Sequence, residues 1–214
     1  MISGVVTSPN FQSSGSEYTI QDATAGLILY GSGITDLNLW LGDEVIVSGI
    51  TDEYNGKFEI IISSASDVQI LGTGTLPEPQ IITVSDLYSN GELYESELIT
   101  IENVTTDDDW PSDGSSANLT ISDGGSSTTT MRIDSDTDID GSQEPTWPLS
   151  VTGIVGFEYM ALNAILLGSW LGLAVSNNSS QVIGAVSAGY WYSEDILIKS
   201  EVQYGFENKN KSIQ

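Results

Sequence analysis

The sequence predicts an all-β protein made of two consecutive units of one plan. Short apolar runs rich in Val, Ile, Thr and Tyr are separated by most of the 22 Gly and 6 Pro residues, which is a strand-and-turn composition. The order of elements in Tyr18–Gly49 returns further on, with corresponding positions 101 to 104 residues apart, the spacing of an internal repeat. Hydrophobic residues make up 39% of the 214 positions, enough for packed cores.

In the first unit, Ile2–Thr7 alternates apolar and small residues and reads as a strand. Ser8–Ser16 is a loop broken by Pro and Gly, with Phe11 in its middle. Tyr18–Asp22 is a second strand with Tyr18 and Ile20 on one face, and Leu27–Tyr30 a short buried third. Ile34, Leu37 and Leu41 stand at helical spacing, which predicts one helical turn closing an end of a barrel. Glu44–Ile50 is the fourth strand, Asp52–Gly56 a turn, Lys57–Ile62 the fifth strand, and the unit ends at Val68–Leu71. Five strands with a helical turn between the third and fourth is the order of an OB fold.

The residues Ile20-Gln21-Asp22, Gly26, Gly42-Asp43, Val45, Val47 and Gly49 form the pattern strand-IQD-turn-G-strand followed by GD-V-V-G. This pattern resembles the OB-fold modules attached to secreted bacterial nucleases and related multidomain surface proteins. The resemblance implies an extracellular or cell-surface location and a module that stands beside a catalytic domain. Because OB barrels host many activities, it speaks to fold more than to chemistry.

A Pro-containing linker, residues 74–80, follows the first module at 1–73. In the second module, 81–176, Glu97–Thr105 matches the first strand, Asn118–Asp123 the second, Thr129–Asp134 the third and Pro148–Val155 the fourth, with Gly153 in the place of Gly49. The expected architecture is therefore two tandem five-stranded OB-fold-like barrels, then an irregular C-terminal extension over 177–214. Tyr159–Ser193 holds no charged residue in 35 positions. It admits a fifth strand with further strands, a tail that has drifted from its module, or a membrane helix over Tyr159–Val175. The last is disfavoured by its marginal length and the lack of a close basic flank.

Net charge is -25, from 30 carboxylates against 5 Lys and Arg. Within 1–158 only Lys57 and Arg132 oppose 26 carboxylates. Strong direct binding of a nucleic-acid backbone is not expected, since that affinity comes largely from Lys and Arg displacing counterions. Cysteine and histidine are both absent. Disulfide frameworks, thiolate metal sites, Ser-His-Asp hydrolysis and His-metal catalysis are thereby excluded for this chain alone. No charged n-region with an apolar run precedes the first strand, so no signal peptide is visible. A carboxylate-only enzyme such as a glycosidase lacks any pair held at a defined separation.

Three aromatic residues are candidate ligand contacts: Phe11 in the first loop, Tyr54 at the Asp52–Gly56 turn, and Trp110 in the acidic loop Thr106–Ala117. Trp110 has a competing role as a cap folded onto its barrel. Asp134, Asp136, Asp138 and Asp140, followed by Gly141, contain the opening D-x-D-x-D-G of a calcium loop. Trp147 occupies the twelfth position, where such a loop carries a bidentate Glu, and a solvated acidic loop is the competing reading. The expected function is a non-catalytic ligand-binding or spacer module of an exported bacterial multidomain protein, associated with a nuclease. The alternative is a calcium-assisted carbohydrate-binding or adhesion module. Expected partners are a polysaccharide, or a nucleic acid held through a neighbouring domain, and no membrane.

Overall fold

A computed structural model describes residues 1–54, 56–135, 139–158, 162–167, 175–176 and 182–183. The protein is all-β, and its strands form two sheets. The first contains β1 (Ile2–Val6), β2 (Gly15–Gln21), β3 (Gly26–Ser32), β4 (Asp43–Val47), β5 (Ile50–Tyr54), β6 (Lys57–Ile61) and β7 (Val68–Thr73). Their order across the sheet is β5-β6-β3-β2-β1-β4-β7. Strands β4 and β5 stand near opposite ends of this order, yet only Ser48 and Gly49 separate them in the chain. They are two halves of one bent strand. The first half pairs with β1 and the second with β6, while β3 and β6 run parallel. The ring therefore closes through the chain itself, as in an OB fold.

Alternation sets the inside of this barrel. Tyr18, Ile20, Leu29, Val45, Val47 and Ile60 are buried in one core with Val6, Ile34, Leu37, Leu39 and Ile62. Residues Ile34–Leu41 are not helical. The physical reason is a tether from the second strand: the Tyr18 hydroxyl donates to the Leu37 carbonyl at 3.0 Å and accepts from the Leu39 amide at 3.4 Å. A side chain thus takes the backbone groups that a helical turn would have paired internally. Leu39 is buried beside Leu37 while Trp40 is exposed, an alternation that belongs to extended chain.

The second sheet contains β8 (Gln80–Ile81), β9 (Leu98–Thr106), β10 (Ala117–Ser122), β11 (Thr129–Ile133), β12 (Leu149–Glu158), β13 (Leu162–Leu167), β14 (Val175–Ser176) and β15 (Val182–Ile183). Strands β9, β10, β11, β13 and β12 form a ring that returns to β9, with β11 and β13 parallel. Here one uninterrupted ten-residue strand, β12, pairs on both sides. Its core includes Ile99, Ile101, Val104, Leu119, Ile121, Met131, Ile133, Val151 and Val155. The fifth strand foreseen within the apolar run is β13. Those six residues are not helix, which counts against the membrane-helix reading, and the rest of 177–214 apart from β15 lies outside the described residues. Helix α1 (Val84–Asn90) was not foreseen; Thr83 and Asp86 cap it reciprocally, and Val84 and Leu87 bury its inner face.

The two barrels touch across a small seam. Ser96 lies so close to Gly26 that a Cβ there would sit 2.1 Å from the Ser96 carbonyl oxygen. The Leu98 amide donates to the Gln21 side-chain oxygen at 3.0 Å, and the Phe58 amide to Glu95 Oε1 at 2.8 Å. Leu41 packs against Leu98 and Ile154.

The bend at Ser48–Gly49 has no room for a side chain, since a Cβ on Gly49 would stand 2.4 Å from the Ile61 carbonyl oxygen. Gly49→Ala is therefore expected to lower stability by about 2 kcal/mol or more through overpacking against backbone. Urea denaturation followed by circular dichroism measures this, and Gly33→Ala, which meets open space but has φ +69°, should show only the smaller loss from backbone strain.

Candidate functional site

The usual OB ligand surface is the outer face of the second and third strands with the loops after the first and fourth. In the first barrel most of that outer face is covered. Thr7, Thr19, Gln21, Ile28 and Glu59 point away from the core by strand parity, yet each is buried. Thr7 and Thr19 join through their hydroxyls at 2.9 Å, and the Ser8 hydroxyl accepts from the Thr19 amide at 2.7 Å. Gln21 and Gly26 are occupied by the lead-in to the second barrel.

The open end of that face is a corner organised by Glu17. One Glu17 oxygen accepts from Gln12 Nε2 at 3.3 Å and the other from Lys57 Nζ at 3.4 Å. Gln12 belongs to the loop between β1 and β2, and Lys57 begins the strand after the β5–β6 turn. A single carboxylate therefore ties together the two loops that OB folds use for ligands. Asn10 completes the corner: its side chain accepts from the amides of Gln12 and Glu17 and donates to the Gly15 carbonyl. Phe11 is half-buried beside Gln12, its amide bonded to the Glu17 carbonyl at 2.8 Å. Tyr54 stands directly across the turn from Lys57 and is 62% exposed. Two of the three aromatic candidates thus fall on loops joined by Glu17. Gln12, Lys57 and Glu17 were missed in the sequence, because strand register, which pairs Tyr54 with Lys57, is what assembles them.

The segment from Met1 to Ser16 holds no charged side chain. One of the corner's two loops is therefore uncharged, while the Tyr54 turn brings Asp52 and Glu53 together with Lys57. Lys57 and Glu17 form the corner's ion pair with both side chains partly exposed, so the pair contributes well under about 1 kcal/mol.

Trp110 is used differently. It packs against the second core, edge-on to Trp147 with ring centroids 6.1 Å apart, and its indole N–H donates to the Ser142 hydroxyl at 3.3 Å. Trp147 in turn donates to Glu144 Oε1 at 2.9 Å. Trp110 is a cap on its barrel, and its polar atom is already bonded.

The aspartates of the acidic loop are also engaged. Asp134 holds Arg132 at 2.5 Å and accepts from Ser116 and the Ser135 amide. Partial burial works to raise the Asp134 pKa, but Arg132, with Ser116 and the Ser135 amide, outweighs it and leaves the carboxyl below its usual range. Asp140 is buried and accepts from the Gly114 amide at 2.6 Å, tying this loop to the one that carries Trp110. Asp136 and Asp138 lie outside the described residues. Among the described residues no group of three or more acidic side chains is placed to hold a metal ion.

No family model and no curated protein matches this chain. Among solved structures it is similar to a murine DNA-binding protein bound with double-stranded DNA, at 10% identity and TM-score 0.33, covering 79% of this chain and 92% of that one. It is similar to a HINa domain in complex with 20 bp of double-stranded DNA, at 11% identity and TM-score 0.35, covering 78% and 91%. A tetrameric p202 HIN2 domain matches at 10% identity and TM-score 0.35, covering 77% and 86%. The fold assignment rests on the strand pairings above and not on these scores. Two of these proteins hold DNA, and none is described as nuclease-associated, carbohydrate-binding or calcium-dependent. The expectations of a spacer or exported nuclease-associated module, of a calcium-assisted carbohydrate or adhesion module, and of no strong direct nucleic-acid binding are corrected accordingly. The physical reason lies in the distribution of charge: a net charge belongs to the whole chain, whereas contact is local, and the Glu17 corner is flanked by an uncharged loop.

Trp110→Ala is expected to destabilise the second barrel by about 3 kcal/mol, because it empties space against a packed core. Thermal unfolding reads this as a lower and broader transition, with the first barrel's signals unchanged in an NMR spectrum.

Proposed function

We propose that this chain is a non-enzymatic nucleic-acid-binding module that contacts unpaired bases at the Glu17 corner of the first barrel. The observation that carries the reading is the tie from Gln12 through Glu17 to Lys57, which brings the loop of Phe11 and the turn of Tyr54 to one end of the barrel. Phe11 and Tyr54 offer ring faces for stacking, which is worth about 1–3 kcal/mol per base and tolerates any sequence. Gln12 and Asn10 offer amide groups able to meet base edges. Lys57 supplies one cation, to a single phosphate.

This chemistry suits an acidic protein. With one Lys at the corner, counterion release contributes little, and stacking must supply the affinity. Unpaired strands expose their faces for stacking, whereas a duplex presents phosphates first, so single strands are the favoured ligand.

Fluorescence anisotropy with a labelled oligothymidine tests the reading. Expected are binding that falls with salt at a slope near about one, as for one phosphate contact, and a loss of roughly tenfold on Tyr54→Ala or Phe11→Ala. A preference for duplex DNA, a slope of several phosphates, or unchanged affinity in both variants would overturn the proposal.

A further inference from the structure

Two glutamates, Glu95 and Glu97, are withdrawn from water beside the seam between the barrels. Glu95 reaches from the segment before the second barrel to accept from the Phe58 amide, and it is half-buried there. The charged groups that face it are Glu92 on its own segment and Glu53 and Lys57 on the β5–β6 hairpin of the first barrel. Glu97 is buried two residues later, bonded to the Gln80 side-chain amide, and the charge facing it is Asp22 at the first barrel's β2–β3 turn. Across the contact Asp22 adds like charge at Glu97, whereas at Glu95 the attraction of Lys57 outweighs the smaller repulsion of Glu53. Among the described residues the ammonium that faces Glu95, Lys57, is already shared with Glu17. Among the described residues an apolar contact at the seam is made by Leu41 against Leu98 and Ile154. Gly26 and Ser96 fit closely, but backbone contact of this kind has little area from which to offset buried charge.

We propose that the contact between the two barrels is operated by protons: it closes more firmly in acid and loosens as pH rises. Burial comes first among the causes that push both the Glu95 and the Glu97 carboxyl above the ordinary glutamate value of 4.5, with the facing acids adding to it and the Phe58 amide, Gln80 and Lys57 opposing it. A carboxyl whose pKa is higher in the docked state is protonated more readily there. Docking therefore gains as pH falls through the docked value, and loses progressively as pH rises above the ordinary value. Glu59, on the strand next to Phe58, shifts the same way for the same leading reason, with Glu17 and Asp52 adding and Lys57 opposing. The device adjoins the Glu17 corner through Lys57 and would set how the two barrels are oriented while that corner is at work.

The chain has no cysteine, so it can be labelled cleanly. Ser13→Cys and Ser126→Cys are both exposed positions, one in each barrel. Spin labels there, in the full chain, report the distance between barrels by pulsed electron resonance, and X-ray scattering of the unlabelled chain checks overall size. Expected is one narrow distance at about pH 4 and a broader, longer distribution at about pH 7, with circular dichroism unchanged. Glu95→Gln and Glu97→Gln, made separately and together, keep the hydrogen-bond acceptors but cannot ionise. Each should reduce the pH dependence, and the double variant should stay narrow throughout. Distances that do not change with pH, or a double variant that loosens like the parent, would overturn the proposal. Loss of strand signal at the higher pH would also overturn it, because the barrels themselves would then be unfolding.

Discussion

Ring closure by the fourth strand is the constraint on which both halves of this protein depend. A strand at a sheet edge leaves its backbone groups unpaired, and a barrel removes the edge by making one strand serve two neighbours. In the first barrel the strand bends at Ser48–Gly49, so that Asp43–Val47 pairs with β1 and Ile50–Tyr54 with β6. The bend is possible because Gly49 presents no Cβ to the Ile61 carbonyl. In the second, Leu149–Glu158 makes the same two sets of pairs with a register shift between Leu149 and Val151. One topological requirement is met by two local solutions.

Closure also decides where ligands can go. Once the first ring is shut, the segment Ser96–Leu98 takes one end of its outer face through Gly26 and Gln21. The opposite end is left to the loop of Phe11, the turn of Tyr54, and the Glu17 carboxylate between them. In the second barrel the equivalent loop is folded back: Trp110 is held by Ser142 and Trp147, and Asp140 pins the loop at the Gly114 amide. The two copies therefore share a frame and differ at the rims. Duplication preserves cores because packing is intolerant of change, while loops are free to diverge.

Much of the frame was legible in the residues. Alternation at Tyr18 and Ile20, and the return of the plan after Ile81, place most strands within about three residues of where they fold, whereas Asp52–Tyr54, read as turn, belongs to β5 because it pairs with Lys57–Glu59. The spacing of Ile34, Leu37 and Leu41 misled because two of its three residues are buried for another reason, the pull of the Tyr18 hydroxyl on an extended segment. The Thr83–Asp86 cap was a readable helix signal that the run Ile81–Leu87 concealed. The candidate site was half legible: aromatic residues in loops announce themselves, but Trp110 and Tyr54 look alike in sequence and differ only in what lies next to them.

The sequence by itself determined the fold class, the duplication, the acidity and the lack of imidazole and thiol chemistry, since these follow from residue type and from periodicities of two. Only the tertiary structure decided which aromatic is a cap and which stands free, that Glu17 joins two loops, and that Glu95 reaches the Phe58 amide of the other barrel. Those relations run between residues up to tens of positions apart. Chain closure and strand register create them, and no local pattern of side chains encodes either.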